Sequence, residues 1–170
     1  CELGIKNCDK DITLYALAWT TTPWTLPSNT ALCVGPKIDY VVVKGENPYT
    51  KIEAYYLLAE ARLAAYAKEL GETPEILWKG KGSDLVGLEY EQLIPWANPG
   101  EGAFKIIPGD YVTTEDGTGI VHIAPTFGAD DAFVAKKAGV PGMVFITKKG
   151  EQRPMVDMTG KFFVLEELDD

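Results

Sequence analysis

Residues 17–29 read LAWTTTPWTLPSN, three adjacent threonines set between an apolar run and a proline. Together with the preceding TLYA, this predicts a strand over 13–22 buried on both faces, because a near-continuous apolar and β-branched run has no polar face to give to water. Pro23 has no N–H to give to a ladder, so the strand ends there or lies on an edge. Side chains alternate along a strand, which sets Thr20 and Thr22 on one face and Thr21 on the other, at the strand mouth. A threonine hydroxyl both donates and accepts, on a stiff β-branched rotamer. Such a cluster suits a ribose hydroxyl or a held water. Equally, Thr-Pro is an ordinary way to close a strand.

Working outward, strands are expected at 30–34 and 39–44, with Gly35-Pro36-Lys37 as the turn between them. Residues 50–71 read as a helix. Thr50 and Glu53 form a capping box, and Ile52, Tyr55, Tyr56, Ala59, Leu63, Tyr66, Ala67 and Leu70 recur at three- and four-residue steps as a core-facing stripe. Gly71 stands where a C-terminal cap belongs. Further strands are expected at 75–79, 85–93, 103–107, 110–114 and 118–124, with Asp116-Gly117 as a hairpin turn. A short helix from Ala129 to Ala138 is stopped by Gly139 and Pro141, and strands at 143–147 and 161–165 follow. The expected fold is α/β: one β-barrel-like domain over residues 1–170 with a few peripheral helices.

Composition narrows the function. The chain has 170 residues, 46% of them hydrophobic, enough for a real core. Lys and Arg number 16 against 25 Asp and Glu, for a net charge of -9. That argues against an autonomous nucleic-acid binder, which needs clustered cations, but not against a domain that handles only the tip of a nucleic acid held elsewhere. Lys136-Lys137 and Lys148-Lys149 read as solvated surface, with RNA phosphates as the alternative. No apolar run approaches the roughly 20 residues of a membrane span. The start lacks both Met and a signal-peptide pattern, which suggests a processed or internal piece. Cys1, Cys8 and Cys33 fit no metal spacing and read as reduced thiols of a cytosolic protein, a Cys1–Cys8 pair being the alternative.

A second stretch, EDGTGIVHIAPTFGADD at 115–131, runs from a strand through a loop into a helix start. It carries His122, the chain's only histidine. Asp130 and Asp131 lie in the first helical turn, where the helix dipole favours a carboxylate. Helix stabilisation and a structural histidine would explain these residues without chemistry. His122 with the two aspartates is a weaker alternative for a divalent metal. The only serines, Ser28 and Ser83, lie outside a nucleophile elbow, which excludes a serine triad. There is no P-loop and no dinucleotide fingerprint.

Taken together, AWTTTPWTLPSN and GTGIVHIAPTFGADD resemble the editing domain of isoleucyl-tRNA synthetase, the connective-peptide insertion of that class I enzyme. The similarity extends through WKGKGSDLVGLEYEQL (78–93) and GVPGMVFITKKGEQ (139–152). Valyl and leucyl relatives typically have Thr-Thr-Arg-Pro at the threonine motif; Thr22 stands at that arginine's position and points to the isoleucyl type. The HIGH-type and KMSKS-type signatures of the synthetic, ATP-binding site are absent.

The resemblance implies a cytoplasmic tRNA-proofreading hydrolase that removes valine from the isoleucine tRNA and spares isoleucine. Its partners would be the 3′ end of that tRNA and the remainder of the synthetase. It would use no cofactor, and the isolated chain would be a monomer that binds tRNA weakly. The resemblance implies that Asp131 grips the substrate's α-ammonium group and that His122 shapes the side-chain pocket against isoleucine. Thr20, Thr21 and Thr22 would line the pocket and meet the terminal adenosine and the attacking water. Trp24, Leu26 and Asn29 would form its wall. Many bacterial relatives have a histidine where Phe127 stands, so this chain would use an apolar ring there. The alternatives are a valyl-type domain that clears threonine, a non-catalytic β-barrel binding an amino acid or nucleotide, and a metal-dependent hydrolase.

Overall fold

The computed structural model describes residues 12–47, 49–95, 97–157, 159 and 161–162. They divide into two compact units, each assembled from separate stretches of chain. One holds the described residues up to Trp19, Val34–Val86 and Pro108–Val121. The other holds Thr20–Cys33, Gly87–Ile107 and the chain from His122 onward.

In the first unit, strands β1 (Leu14–Ala16), β3 (Asp39–Glu46), β4 (Glu53–Ala59) and β5 (Ile76–Lys81) form a sheet in the order β1-β4-β3-β5. Strands β3 and β4 are antiparallel, from Tyr40 opposite Ala59 to Glu46 opposite Glu53, and β1 runs parallel to β4. One face presents Val41, Val43, Ala54, Tyr56 and Leu58, packed against Leu17, Leu63, Tyr66 and Leu70. The Tyr40 hydroxyl accepts from the Gly35 N–H and donates to the Gly119 carbonyl, and both groups are buried. Gly119 has φ +76°, and a Cβ there would stand 2.4 Å from the Ala59 Cβ, so only glycine fits. A cavity of about 520 Å³ opens in this unit among Tyr15, Trp19, Tyr56, Tyr66 and Leu70.

Two expectations fail here. The strand predicted over 13–22 shortens to Leu14–Ala16, and Leu14 and Tyr15 are exposed. Strand β1 is the edge strand of the sheet, and Leu14 and Tyr15, which point to opposite faces, are both exposed, so it is not buried on both faces.

The helix predicted over 50–71 is half strand. Glu53–Ala59 is β4, followed by a 3-10 segment (Glu60–Tyr66) and a single α-turn, α1 (Ala67–Leu70). Ala54–Ala59 are all buried, and no one-striped helix buries six consecutive residues. Aromatic and aliphatic side chains on both faces suit a central strand between β1 and β3. Instead of capping a helix, Glu53 pairs with Lys44 at 2.7 Å across the ladder. Thr50 lies in a turn closed by the Asn47 side-chain oxygen, which accepts from the Tyr49 and Thr50 N–H groups. The C-terminal part of the stripe, Leu63, Tyr66 and Leu70, does face the core, and Gly71 ends the helix at φ +89°.

The second unit contains most of a three-stranded sheet, ordered β6 (Lys105–Pro108), β2 (Ala31–Val34) and β7 (Ile120–Ile123). It also contains helix α2 (Ala129–Lys137) and the pair β8 (Val144–Ile146) and β9 (Gln152–Pro154). Strand β2 is wholly buried, as the middle strand must be. Residues 85–93 form no strand. Leu88 and Tyr90 bond to Ile106 and Phe104 beside β6, but Gly87 at φ +92° breaks the extended run.

Residues 110–114 are turn and irregular chain, so Asp116-Gly117 closes a turn without a hairpin. The expected last strand is reduced to a bridge between Phe162 and Val156; residues 163–165 lie outside the described residues, as do Cys1 and Cys8. Cys33 is buried in β2. Lys136, Lys137, Lys148 and Lys149 are exposed. The architecture is mixed α/β, mostly sheet with few helices. Its sheets have four, three and two strands, and none closes into a barrel among the described residues.

Candidate functional site

Pro23 shapes the threonine segment. Its ring presets φ and its missing N–H is no loss at a helix start, so Pro23–Ser28 winds into a 3-10 helix instead of extending a strand. The threonines therefore stand on a bend before a tight turn, which corrects the strand-mouth expectation. Their predicted division survives. Thr20 accepts from the Thr22 N–H at 3.0 Å, and the two hydroxyls lie 3.4 Å apart, while Thr21 is exposed. One 3-10 turn on, Thr25 brings its hydroxyl 3.3 Å from that of Thr22 and donates to the Thr22 carbonyl at 2.8 Å.

His122 projects from β7 and is 6% exposed. Its Nε2 lies 3.0 Å from the Thr25 hydroxyl and its Nδ1 lies 2.9 Å from the Asn29 amide nitrogen. Asn29 in turn accepts from the Tyr90 hydroxyl at 2.5 Å. Burial lowers the His122 pKa to about 4, so the ring is neutral near pH 7. Burial also pushes the Tyr90 phenol far above its ordinary value, keeping it a donor.

Asp131, in the first turn of α2, is half-buried. Its Oδ2 accepts from the Ala124 N–H at 2.8 Å, which fastens the helix start to the end of β7 two residues beyond His122. Burial raises its pKa, the Ala124 N–H works against that rise, and neighbouring Asp130 adds to it. No hydrogen bond engages Oδ1 among the described residues, so one carboxylate oxygen is held and the other is available to a cation.

Of the residues expected at the site, Thr20, Thr22, Asn29 and His122 join one hydrogen-bonded cluster, and Asp131 is anchored to the same strand's end. Trp24, 48% exposed, faces outward with Thr21, and Leu26 is half-buried in the turn. Phe127 is half-buried, its N–H on the Ala124 carbonyl. Sequence reading missed Thr25 and Tyr90. Thr25 becomes visible only once Pro23 is read as a 3-10 start, which puts Thr22 and Thr25 one turn apart. Tyr90 carries no local signal. No group of three or more His, Cys, Asp or Glu is placed to hold a metal among the described residues.

The arrangement is a neutral histidine held at both nitrogens, a run of hydroxyls, and a half-buried carboxylate. It suits recognition of an ammonium-bearing, hydroxyl-bearing substrate. No protein-family model matches the chain. Solved structures with this fold include the editing domain of the P. falciparum cytosolic leucyl-tRNA synthetase, 26% identical with a TM-score of 0.59 over 72% of this chain and 45% of that one. The fold is that of an aminoacyl-tRNA synthetase editing domain.

Within that class the chain matches the editing, connective-peptide segment of isoleucyl-tRNA synthetase. It is 64% identical over 172 residues to the isoleucine–tRNA ligase of Bacteroides fragilis, covering 93% of this chain, and 55% identical to that of Porphyromonas gingivalis, covering 91%. The chain spans about 15% of the length of either relative.

Proposed function

We propose that the whole chain acts as one editing domain that hydrolyses the ester between valine and the isoleucine tRNA and spares the isoleucine ester. The observation that carries this reading is the anchored Asp131. Its free oxygen offers a charge-assisted hydrogen bond to the α-ammonium group that every aminoacyl ester presents. The need for a second site is physical. One methylene in an apolar pocket is worth about 1–3 kcal/mol, a magnitude for which isoleucyl-tRNA synthetase is itself the standard example. A smaller pocket that admits valine and excludes isoleucine supplies the rest.

The chemistry needs no covalent intermediate. An aminoacyl ester is already reactive, so holding it against an oriented water supplies much of the acceleration. The paired Thr20 and Thr22 hydroxyls hold the water or the terminal ribose, and hydroxyl and backbone N–H donors stabilise the developing oxyanion. Asp131 fixes the amino group, and the His122 ring forms part of the side-chain wall. The reaction uses no metal or cofactor. The partners are the 3′ end of the charged tRNA and the rest of the synthetase.

Release of valine from the charged isoleucine tRNA by the chain and by Asp131→Ala tests this, with a small valyl-adenosine ester run in parallel to separate chemistry from tRNA docking. The reading expects turnover that a chelator leaves unchanged and that the variant loses by at least about tenfold, the loss of a charged hydrogen bond. Binding of the small ester without any turnover would replace it with the passive binding module.

A further inference from the structure

We infer that Tyr90 is a positioning residue of this site: acting through Asn29, it locks His122 in the tautomer protonated at Nε2, so that the ring serves as a fixed wall and not as a proton carrier. The argument is one of donor and acceptor matching. The Asn29 side-chain nitrogen lies 2.8 Å from the Ala31 carbonyl and 3.4 Å from the Ile123 carbonyl. Both partners only accept, so the amide must present its NH2 there and its oxygen toward Tyr90. The tyrosine hydroxyl, 2.5 Å from that oxygen, donates to it, and without this donor the buried oxygen is left unsatisfied, which weakens the amide's hold on this orientation.

The NH2 that faces His122 Nδ1 at 2.9 Å is likewise a donor, which leaves Nδ1 as the acceptor and puts the ring proton on Nε2. Nε2–H then donates to the Thr25 hydroxyl at 3.0 Å, whose own proton goes to the Thr22 carbonyl at 2.8 Å. The chain Tyr90–Asn29–His122–Thr25–Thr22 is thus directional at every step. It runs from Tyr90, outside the threonine and histidine motifs, to Thr22, the last of the three adjacent threonines.

Two consequences follow for the proposed reaction, on which this second half of the inference rests. Neither ring nitrogen is available to a water or a substrate, so His122 is no general base. The ring's place in the wall is set by a partner at each nitrogen, so loosening one end blunts discrimination between valine and isoleucine more than it slows hydrolysis of valine.

The chain's single histidine makes the test unambiguous. A long-range proton–nitrogen correlation spectrum of 15N-labelled protein reports the two ring nitrogens of His122 alone. At pH 7 the expected result is one tautomer, with Nε2 protonated and Nδ1 bare. Tyr90→Phe should give a mixture of tautomers, and Asn29→Asp, which replaces the donor at Nδ1 by an acceptor, should move the proton to Nδ1.

In deacylation, Tyr90→Phe should lower the valine-to-isoleucine preference about three- to tenfold, the worth of one buried hydrogen bond, with valine release changed less. A ring protonated on Nδ1 or on both nitrogens in the parent protein would overturn the inference. So would a Tyr90→Phe variant, folded by its amide spectrum, with an unchanged His122 signature. The spectra stand whether or not the chain proves to be a hydrolase, so failure of the lock and failure of the editing reading are told apart.

Discussion

His122 carries the clearest residue-scale consequence. Its pKa is about 4 in the fold against an ordinary 6.5, so the unfolded chain binds more protons between those values. Stability contributed by the neutral ring is therefore present above pH 6.5 and is lost as pH falls toward 4, on the order of 3 kcal/mol in all. Asp131, raised by burial, works in the opposite direction at the acid end. Urea denaturation of the parent and of His122→Gln from pH 7.5 to 4.5 should show the parent's excess loss below pH 6.5; parallel curves would refute it. At Asp131, the Asn variant keeps an acceptor for the Ala124 N–H but carries no charge. It should fold like the parent in thermal melts yet bind a valyl-adenosine ester at least about tenfold more weakly.

At the scale of the element, β4 is where sequence and structure part most sharply, and the difference is measurable. A helix over 50–71 buries Ile52 and leaves Leu58 off the stripe; in the structure Leu58 is 0% exposed and Ile52 is 66% exposed. Leu58→Ala should cost about 2–5 kcal/mol and Ile52→Ala about 0.5 kcal/mol or less, read from chemical denaturation. Reversal of that order would restore the helix.

The misreading has a physical origin. Ile52, Tyr55, Tyr56 and Ala59 recur at helical steps while Leu57 and Leu58 fill the positions between them, so the run offers both a helical stripe and a doubly covered strand, and the partners on either side, β1 and β3, decide for the strand. The threonine run misled similarly, because a β-branched string resembles a strand until Pro23 turns the chain into a 3-10 helix. Strands β2, β3, β5, β6, β7 and β8 and helix α2 were legible because turn residues bound them: Gly35-Pro36 before β3, and Gly139, at φ +68°, after α2. Of the hydrogen-bonded cluster, Thr20, Thr22, Asn29 and His122, with Asp131 beside it, lie in the two contiguous motifs, whereas Thr21 is exposed. Thr25 was hidden by the wrong secondary structure, and Tyr90 reaches Asn29 from 61 positions away, a contact that no local pattern encodes.

For the whole molecule, charge sets the terms of the proposed tRNA contact. A chain of net charge -9 with 16 basic residues has few cations to release counterions from phosphates. Binding of the chain alone to uncharged isoleucine tRNA should be weak, with a shallow dependence on salt; tight binding with a steep salt slope would show a basic surface that this composition does not suggest.

The central claim is discrimination, and single-turnover deacylation of the isoleucine tRNA carrying valine or isoleucine, with the chain in excess, tests it most directly. The account predicts that valine is released and isoleucine is retained. Equal release of both, or faster release of isoleucine, would contradict it.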